Sequence, residues 1–342
     1  MPQRTFDPSL VATITVPHTE FARGLKRIQE VYDSAGSLDA EPLCLAVIGA
    51  SGSGKSKLIK RLLKKYPPER TPDGLLQTVL IVEVPADPKV KSLVEACLLA
   101  LGDPLWDNND ATNKKTARLI VLMTKARVRV LCLDEFHHFY DKATDRVQLL
   151  VTDWLKSLIN LNRFSVVVAG MEVSSIVLSH NPQLRDRFQA PVKLPRFDWT
   201  IKAHKNDWAG MLMAFTEAIG LQHDIVDLHE PQLAFRLYLA CGGRVRPLVN
   251  TLAEAVRRAS SESRSEIGIE HLEAAYVKVV WNQFTWEAWN VFDMAKPAPG
   301  NVKALVDCAM GIHEDDEAQV GQKRKRRRRL PSGVKEALSA QY

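Results

Sequence analysis

Residues 49–56 read Gly49-Ala50-Ser51-Gly52-Ser53-Gly54-Lys55-Ser56, a full match to the G-x-x-x-x-G-K-[ST] phosphate-binding pattern. Its flanks decide the fold. The apolar run Leu43-Cys44-Leu45-Ala46-Val47-Ile48 leads in and reads as a buried strand. Lys57-Leu58-Ile59-Lys60-Arg61-Leu62-Leu63-Lys64-Lys65 follows, with apolar residues at helical spacing. Strand, glycine loop and helix are what the chemistry needs. The glycines let backbone N–H groups turn inward around phosphate oxygens, and the helix N-terminus adds positive potential. Lys55 then reaches the β- and γ-phosphates and Ser56 ligates Mg²⁺, so Gly49 through Lys57 form the expected nucleotide contact set. The plainer alternative is a glycine turn before an ordinary helix.

Working outward, apolar runs at Leu43–Ile48, Thr78–Val84, Val128–Leu133, Phe164–Ala169 and Val192–Leu194 alternate with helical patterns. Such alternation predicts a parallel five-stranded sheet with helices on both faces. A helix is expected around Val90–Leu101, followed by an exposed loop over Asp107–Lys115. Before the sheet, residues 1–40 read as a leader carrying one amphipathic helix, with Phe21, Leu25, Ile28 and Tyr32 on one face. The α/β domain is expected over 41–198. A small all-helical lid is expected over 199–290, with helices near 202–219, 231–240, 245–261 and 269–285. Asp227–Pro231 and Cys241–Gly243 punctuate it. Trp281, Phe284, Trp286, Trp289 and Phe292 recur at helical spacing and suggest a packed helix. Residues 291–342 read as a flexible tail.

Val130-Leu131-Cys132-Leu133-Asp134-Glu135 is an apolar strand ending in two carboxylates. In phosphate-loop proteins a strand beside the first carries an Asp that helps to hold Mg²⁺, and Asp134 fits that role. Glu135 is placed to polarise the attacking water as general base. The plainer alternative is a strand ending in solvated acids. His137 and His138 are expected to be solvated or packed and not ligands.

Gly49–Ser56 followed by Leu133-Asp134-Glu135-Phe136-His137-His138 resembles an AAA+ ATPase. The Asp-Glu-Phe-His form and Asn181-Pro182-Gln183-Leu184-Arg185-Asp186-Arg187-Phe188 resemble the TniB/TnsC group, ATP-dependent regulators of DNA transposition. The resemblance runs over roughly residues 20–260. It implies ATP and Mg²⁺ as cofactors and a ring or helical homo-oligomer on duplex DNA. It also implies contacts with a target selector and a transposase, and a bacterial, cytoplasmic setting.

The same resemblance implies a site between subunits, in which a neighbour supplies a cation to the γ-phosphate. Arg187 is the first candidate and Arg185 the second; a surface salt bridge through Asp186 is the alternative. Gly242-Gly243-Arg244-Val245-Arg246-Pro247-Leu248 resembles the sensor 2 motif, with Arg246 favoured over Arg244. The fourth strand departs from the family pattern. Val166-Val167-Val168-Ala169-Gly170-Met171-Glu172 offers no polar sensor before Glu172, which points to slow hydrolysis. Phosphate-backbone contacts are assigned to Lys89, Lys91, Thr112, Lys114, Lys115, Thr116 and Arg118, against the alternative of a solvated face. DNA binding should be largely independent of sequence.

The chain has 342 residues and a formal net charge of +6. Residues 323–329 are seven consecutive cations, and without them the rest carries −1. A cluster of that kind attracts polyanions or acidic protein surfaces. No stretch is apolar for long enough to span a membrane, and no apolar signal core opens the chain. Five scattered cysteines form no C-x-x-C pair, which fits a reducing cytoplasm with neither zinc site nor disulfide framework. The competing readings are a DNA-associated initiator or helicase loader, a nucleotide-gated scaffold without hydrolysis, and a metabolic kinase. The residues beyond the lid are too few and too polar for the winged-helix domain of an initiator, and the arginine motifs disfavour a kinase.

Overall fold

The computed structural model describes residues 18–35 and 42–311, apart from 73, 162, 263, 265 and 288, together with Val11 and Ile14. It contains two compact units, Pro17–Arg196 and the chain from Phe197 onward, to which Val11 and Ile14 also belong. The basic run at 323–329 lies outside the described residues.

The first unit is built on five parallel strands: β1 (Leu45–Gly49), β2 (Val79–Glu83), β3 (Val130–Asp134), β4 (Ser165–Gly170) and β5 (Val192–Leu194), in the order β2-β3-β4-β1-β5. Alternate residues along a strand face opposite sides. Leu45 and Val47 of β1 therefore join Val130, Cys132, Val167, Ala169, Val192 and Leu194 in the core on one face. Ala46 and Ile48 join Leu80, Leu131, Leu133, Val166 and Val168 in the core on the other. Burial on both faces explains why the strands read as unbroken apolar runs.

The first face is covered by α1 (Thr19–Ser34) and α2 (Lys55–Lys65), through Phe21, Ile28, Val31, Leu58, Ile59 and Leu62. The amphipathic helix expected in a separate leader is thus part of the α/β unit. Its apolar stripe needs a partner, and the sheet supplies one; each buried Leu, Ile or Phe contributes roughly 1.5–3 kcal/mol. The opposite face carries α3 (Val90–Ala100), α4 (Thr112–Lys125) and α6 (Asp145–Ile159). The short helices α5 (His138–Lys142), α7 (Ser174–Ser179) and α8 (Pro182–Arg185) complete the unit. The loop expected to run to Lys115 ends earlier, because α4 begins at Thr112.

The second unit contains α9 (Lys202–Gly220), α10 (Pro231–Cys241), α11 (Val245–Ser261), α12 (Ile269–Val279) and α13 (Val302–Gly311). Pro231 opens α10, where Glu230 accepts a hydrogen bond from Leu233 N at 2.8 Å. Gly242, at φ 56°, closes it. Helix α12 stops at Val279, short of the expected 285, and the aromatics beyond form no helix. Phe284 and Phe292 are buried, Trp286 bridges Trp289, and Trp281 stays 97% exposed. Arg236 holds the returning chain: its buried guanidinium donates to Val291 O at 2.8 Å and to Lys296 O, and lies over the Trp289 ring at 4.9 Å. Helix α13 buries Leu305, Val306 and Ala309 in the same core. The stretch read as tail from 291 is therefore integral as far as Gly311, because it supplies apolar side chains that α10 leaves uncovered.

Candidate nucleotide-binding and hydrolytic site

The phosphate loop joins the end of β1 to the start of α2. Gly52 and Gly54 have φ of 76° and 101°, a left-handed backbone that costs glycine little. Gly54 is the N-cap of α2, so the first backbone N–H groups of that helix face the loop. A side chain at Gly49 would meet Leu194 O at 2.4 Å, so only glycine lets β1 pass β5 there. Lys55 is 6% exposed, and its Nζ donates to the Gly49 and Ala50 carbonyls, both at 2.8 Å. The ammonium is therefore folded over the concavity. Ser53 is buried with its Oγ lacking a hydrogen-bond partner. A buried unpaired hydroxyl costs about 1–3 kcal/mol, so this loop is built to be completed by an acceptor such as a phosphate oxygen. The pKa of Lys57, on the first turn, is lowered by burial and by Arg61.

Asp134 ends β3, 8% exposed, opposite Glu83 of β2 in register. Its Oδ1 accepts from Glu135 N at 2.9 Å. Glu135 itself sits at φ 54°, a left-handed conformation for a residue with a Cβ. Strain of about 1–3 kcal/mol is stored in such a residue, and it is found where surrounding structure holds a functional side chain in place. Here Phe136 N donates to Ala169 O at 2.8 Å and His138 Nδ1 contacts Val84 O at 2.9 Å, pinning both flanks of the turn. His137 Nδ1 lies 3.1 Å from Glu135 Oε2.

Asp134 does not stand on the strand beside β1. Strand β4 is inserted between β1 and β3. The inserted strand ends in Gly170, and a side chain there would meet Ser174 Oγ at 2.2 Å and His137 N at 3.0 Å. The polar group over the end of β4 is therefore Ser174, buried and with an unpaired Oγ, and not Glu172, which pairs with Lys193 at the surface. Sequence reading missed Ser174 because it sits on the next helix, and missed the His137 contact because the turn at Glu135 has no sequence signal.

Arg187 lies at the opposite end of the sheet from the phosphate loop. Phe188 bridges Cys44, just before β1, and Arg187 acts electrostatically on the Cys44 thiol, which burial pushes up to about 11. At ~3.3 Å per strand residue, that is about 16 Å from Gly49 along β1. Arg187 is thus placed away from the phosphates of its own chain, and makes no ion pair among the described residues. Arg185 is the one that pairs with Asp186, at 3.0 Å. In the helical unit Arg244 is the N-cap of α11, and Arg246 is exposed on its first turn.

The cations assigned to DNA divide. Lys89, Lys91 and Lys114 are exposed, although each faces a carboxylate: Asp87 at 2.8 Å, Glu95 at 3.9 Å and Asp110 at 2.6 Å. Lys115 is corrected: only 1% exposed, it donates to Glu95 at 2.6 Å and to Trp106 O at 2.9 Å, out of reach of a phosphate. Arg118 is tied to Asp103 at 2.6 Å, and Thr116 accepts from Trp154 Nε1 at 3.3 Å. Thr112 opens α4, half-buried. Sequence reading passed over α2, where Lys60, Arg61 and Lys64 are exposed and make no ion pair among the described residues.

The described residues contain no cluster of three or more His, Cys, Asp or Glu able to hold a metal by themselves, and no helix long and apolar enough to cross a membrane. The glycine loop, its lysine, the carboxylate pair and the inserted strand define a P-loop protein of the AAA+ ATPase class. Cdc6p from Pyrobaculum aerophilum superposes with a TM-score of 0.60 at 13% identity, over 81% of this chain and 72% of that one. The ORC1 protein of Aeropyrum pernix, in complex with DNA, gives 0.53 at 16% identity, over 78% and 66%. A Walker-type ATPase of Pyrococcus abyssi gives 0.50 at 14%, over 75% and 72%. These likenesses establish the fold. The chain belongs to the bacterial TniB protein family, whose model matches residues 10–199. No curated protein matches it.

Proposed function

We propose that this protein is an ATP-dependent, DNA-binding regulator of transposition, which assembles on duplex DNA and links target selection to transposase recruitment. The observation that carries the ATPase part is the loop Gly49–Ser56 with Lys55 folded over it and Asp134 and Glu135 closing the nearby strand. Lys55 would neutralise the β- and γ-phosphates. Ser56 and Asp134 would hold Mg²⁺, which screens phosphate charge when bound. Glu135 would take the proton of the attacking water. Arg187, placed away from its own loop, would serve the site of a neighbouring copy, and Arg246 or Arg244 would contact nucleotide from the helical unit. Hydrolysis is expected to be slow, since β4 ends in Ala169 and Gly170, with no polar sensor side chain of its own.

Membership of the TniB family supports the transposition reading. The likeness to an ORC1 protein in complex with DNA supports DNA binding, for which the exposed Lys89, Lys91 and Lys114 are the proposed contacts. The basic run at 323–329 would add a recruitment contact outside the ATPase core. The same likeness favours an initiator or loader as the second reading. Electron microscopy with and without ATP and duplex DNA, followed by addition of a candidate transposase, tests the proposal. ATP-dependent assemblies on DNA that retain transposase are expected; a monomer under all conditions overturns it.

A further inference from the structure

Helix α2 carries Lys55, Lys57, Lys60, Arg61, Lys64 and Lys65, six cations in eleven residues, and no carboxylate. Lys55 is taken up by the phosphate loop. The others repel one another. Lys57 and Arg61, Lys60 and Lys64, and Arg61 and Lys65 stand four residues apart, a spacing at which like charges destabilise a helix. The repulsion is felt at Lys57, whose pKa is lowered by burial and then by Arg61. The neighbouring helix α1 does not relieve it. Its Glu20 pairs with Arg23 at 2.9 Å and its Asp33 accepts from Gln29 Nε2 at 2.7 Å, while Glu30 lies within ion-pair distance of no cation among the described residues.

These cations converge. Lys26 of α1 and Arg61, Lys64 and Lys65 of α2 line one groove of about 520 Å³ between the two helices. Lys65 is held there by a neutral group: its Nζ donates to Gln29 Oε1 at 2.8 Å, and Gln29 Nε2 is itself tied to Tyr66 Oη at 2.9 Å. Lys26, Arg61 and Lys64 are exposed and make no ion pair among the described residues. The helices on the opposite face of the sheet differ: Lys89, Lys91, Lys114, Lys115 and Arg118 each face a carboxylate there.

The floor of the groove decides between anions. Ile28 and Leu62 are only 1% and 4% exposed, which leaves little apolar surface to grip the side chains of an acidic peptide. A phosphate backbone needs none, because cations recognise it by charge. Gln29, engaged by Lys65, Tyr66 and Asp33, is not free to read a base edge.

We propose that the groove between α1 and α2 is a second contact surface for the phosphate backbone of duplex DNA, through Lys26, Arg61 and Lys64. This rests on the reading that the protein binds duplex DNA, and it puts a backbone contact on the face of the sheet away from Lys89, Lys91 and Lys114.

The test is binding of the full chain to a fluorescent duplex of arbitrary sequence, with ATP, across a salt series. The slope of log K against log salt counts the phosphates neutralised, at about 0.9 per contact on duplex DNA. In the triple variant Lys26→Gln, Arg61→Gln, Lys64→Gln the slope should shrink by about 3, with affinity weaker by roughly tenfold or more. The charge-preserving triple Lys26→Arg, Arg61→Lys, Lys64→Arg should bind as the wild type does. Lys125→Gln, Lys142→Gln and Lys202→Gln together remove the same charge from exposed positions elsewhere and should leave the slope within about 1 of the wild type. A wild-type slope in the glutamine triple overturns the inference and gives the groove to an acidic protein surface. So does an equal loss in the Lys125, Lys142 and Lys202 variant, which marks net charge, or in the charge-preserving triple, which marks a disturbed fold. The two levels separate on the wild type. A full chain that binds no duplex at any salt overturns the DNA-binding reading itself, whereas normal binding by both the wild type and the glutamine triple overturns the groove alone.

Discussion

Lys115 of α4 and Glu95 of α3, far apart in sequence, meet in an ion pair 2.6 Å long, with the lysine sealed from solvent. The pair joins two helices on one face of the sheet and removes from the surface a cation that would otherwise suit DNA. Removing Lys115 leaves the partly exposed Glu95 with only the surface Lys91, 3.9 Å away, and strands the Trp106 carbonyl, which puts the cost at the lower end of the about 3–5 kcal/mol for a broken buried pair. Lys115→Ala should therefore destabilise the protein by about 3 kcal/mol in chemical denaturation. The double change Lys115→Met with Glu95→Leu should recover most of it. An unchanged unfolding midpoint in Lys115→Ala would show that the pair is dispensable.

Lys55 and Glu135 should separate binding from chemistry. Lys55→Ala removes the phosphate cation and should lose ATP binding. Glu135→Gln keeps the cradle, binds ATP and stops turnover, because the amide cannot accept the water proton. Nucleotide affinity and phosphate release, measured on both variants, decide this. Release at the wild-type rate from Glu135→Gln contradicts its role.

Arg187 adjoins Phe188, which bridges Cys44 about 16 Å from Gly49 along β1 at ~3.3 Å per residue, and action on another copy is the proposed role. Arg187→Ala should lower kcat by about 10³-fold or more, the usual scale for an arginine acting on the γ-phosphate. Mixing Arg187→Ala with Lys55→Ala, each inactive alone, should restore activity, because some interfaces then join an intact loop to an intact arginine. A mixture as inactive as its parts argues against action in trans.

Glu254 ties α11 to α12. It accepts from Arg257 Nε at 2.7 Å and lies 2.8 Å from Lys278 Nζ. The Arg257 hydrogen bonds, followed by Lys278 and against some desolvation, depress its pKa to about 2 from an ordinary 4.5. A depressed carboxylate stabilises the fold above its unfolded pKa, and that stabilisation is lost as pH falls from about 4.5 through about 2. Glu254→Gln should cost about 1 kcal/mol at pH 7, the upper end for partly screened pairs, and the gap from wild type should close towards pH 2. Thermal unfolding of both proteins across that range is the measurement; a gap that persists at low pH excludes the ion pair as its source.

By itself the sequence determined the elements that answer to local rules. The phosphate loop is legible because its glycines, lysine and serine must stand at fixed offsets on one strand–helix junction. The strands β1 to β4 are legible because burial on both faces makes them continuous apolar runs. Tertiary structure decided whatever depends on a distant neighbour. The insertion of β4 between β1 and β3 is a matter of strand order across the whole sheet, which the local pattern of β3 does not carry. Lys115 became a buried pair because Glu95 came to face it across two helices. Arg236 and the aromatics from Phe284 to Phe292 formed a core through long-range carbonyl and ring contacts, where spacing alone read as a helix. The contact between His137 and Glu135 needed a left-handed turn that only the packed end of the sheet holds in place, since an isolated chain would relax out of it.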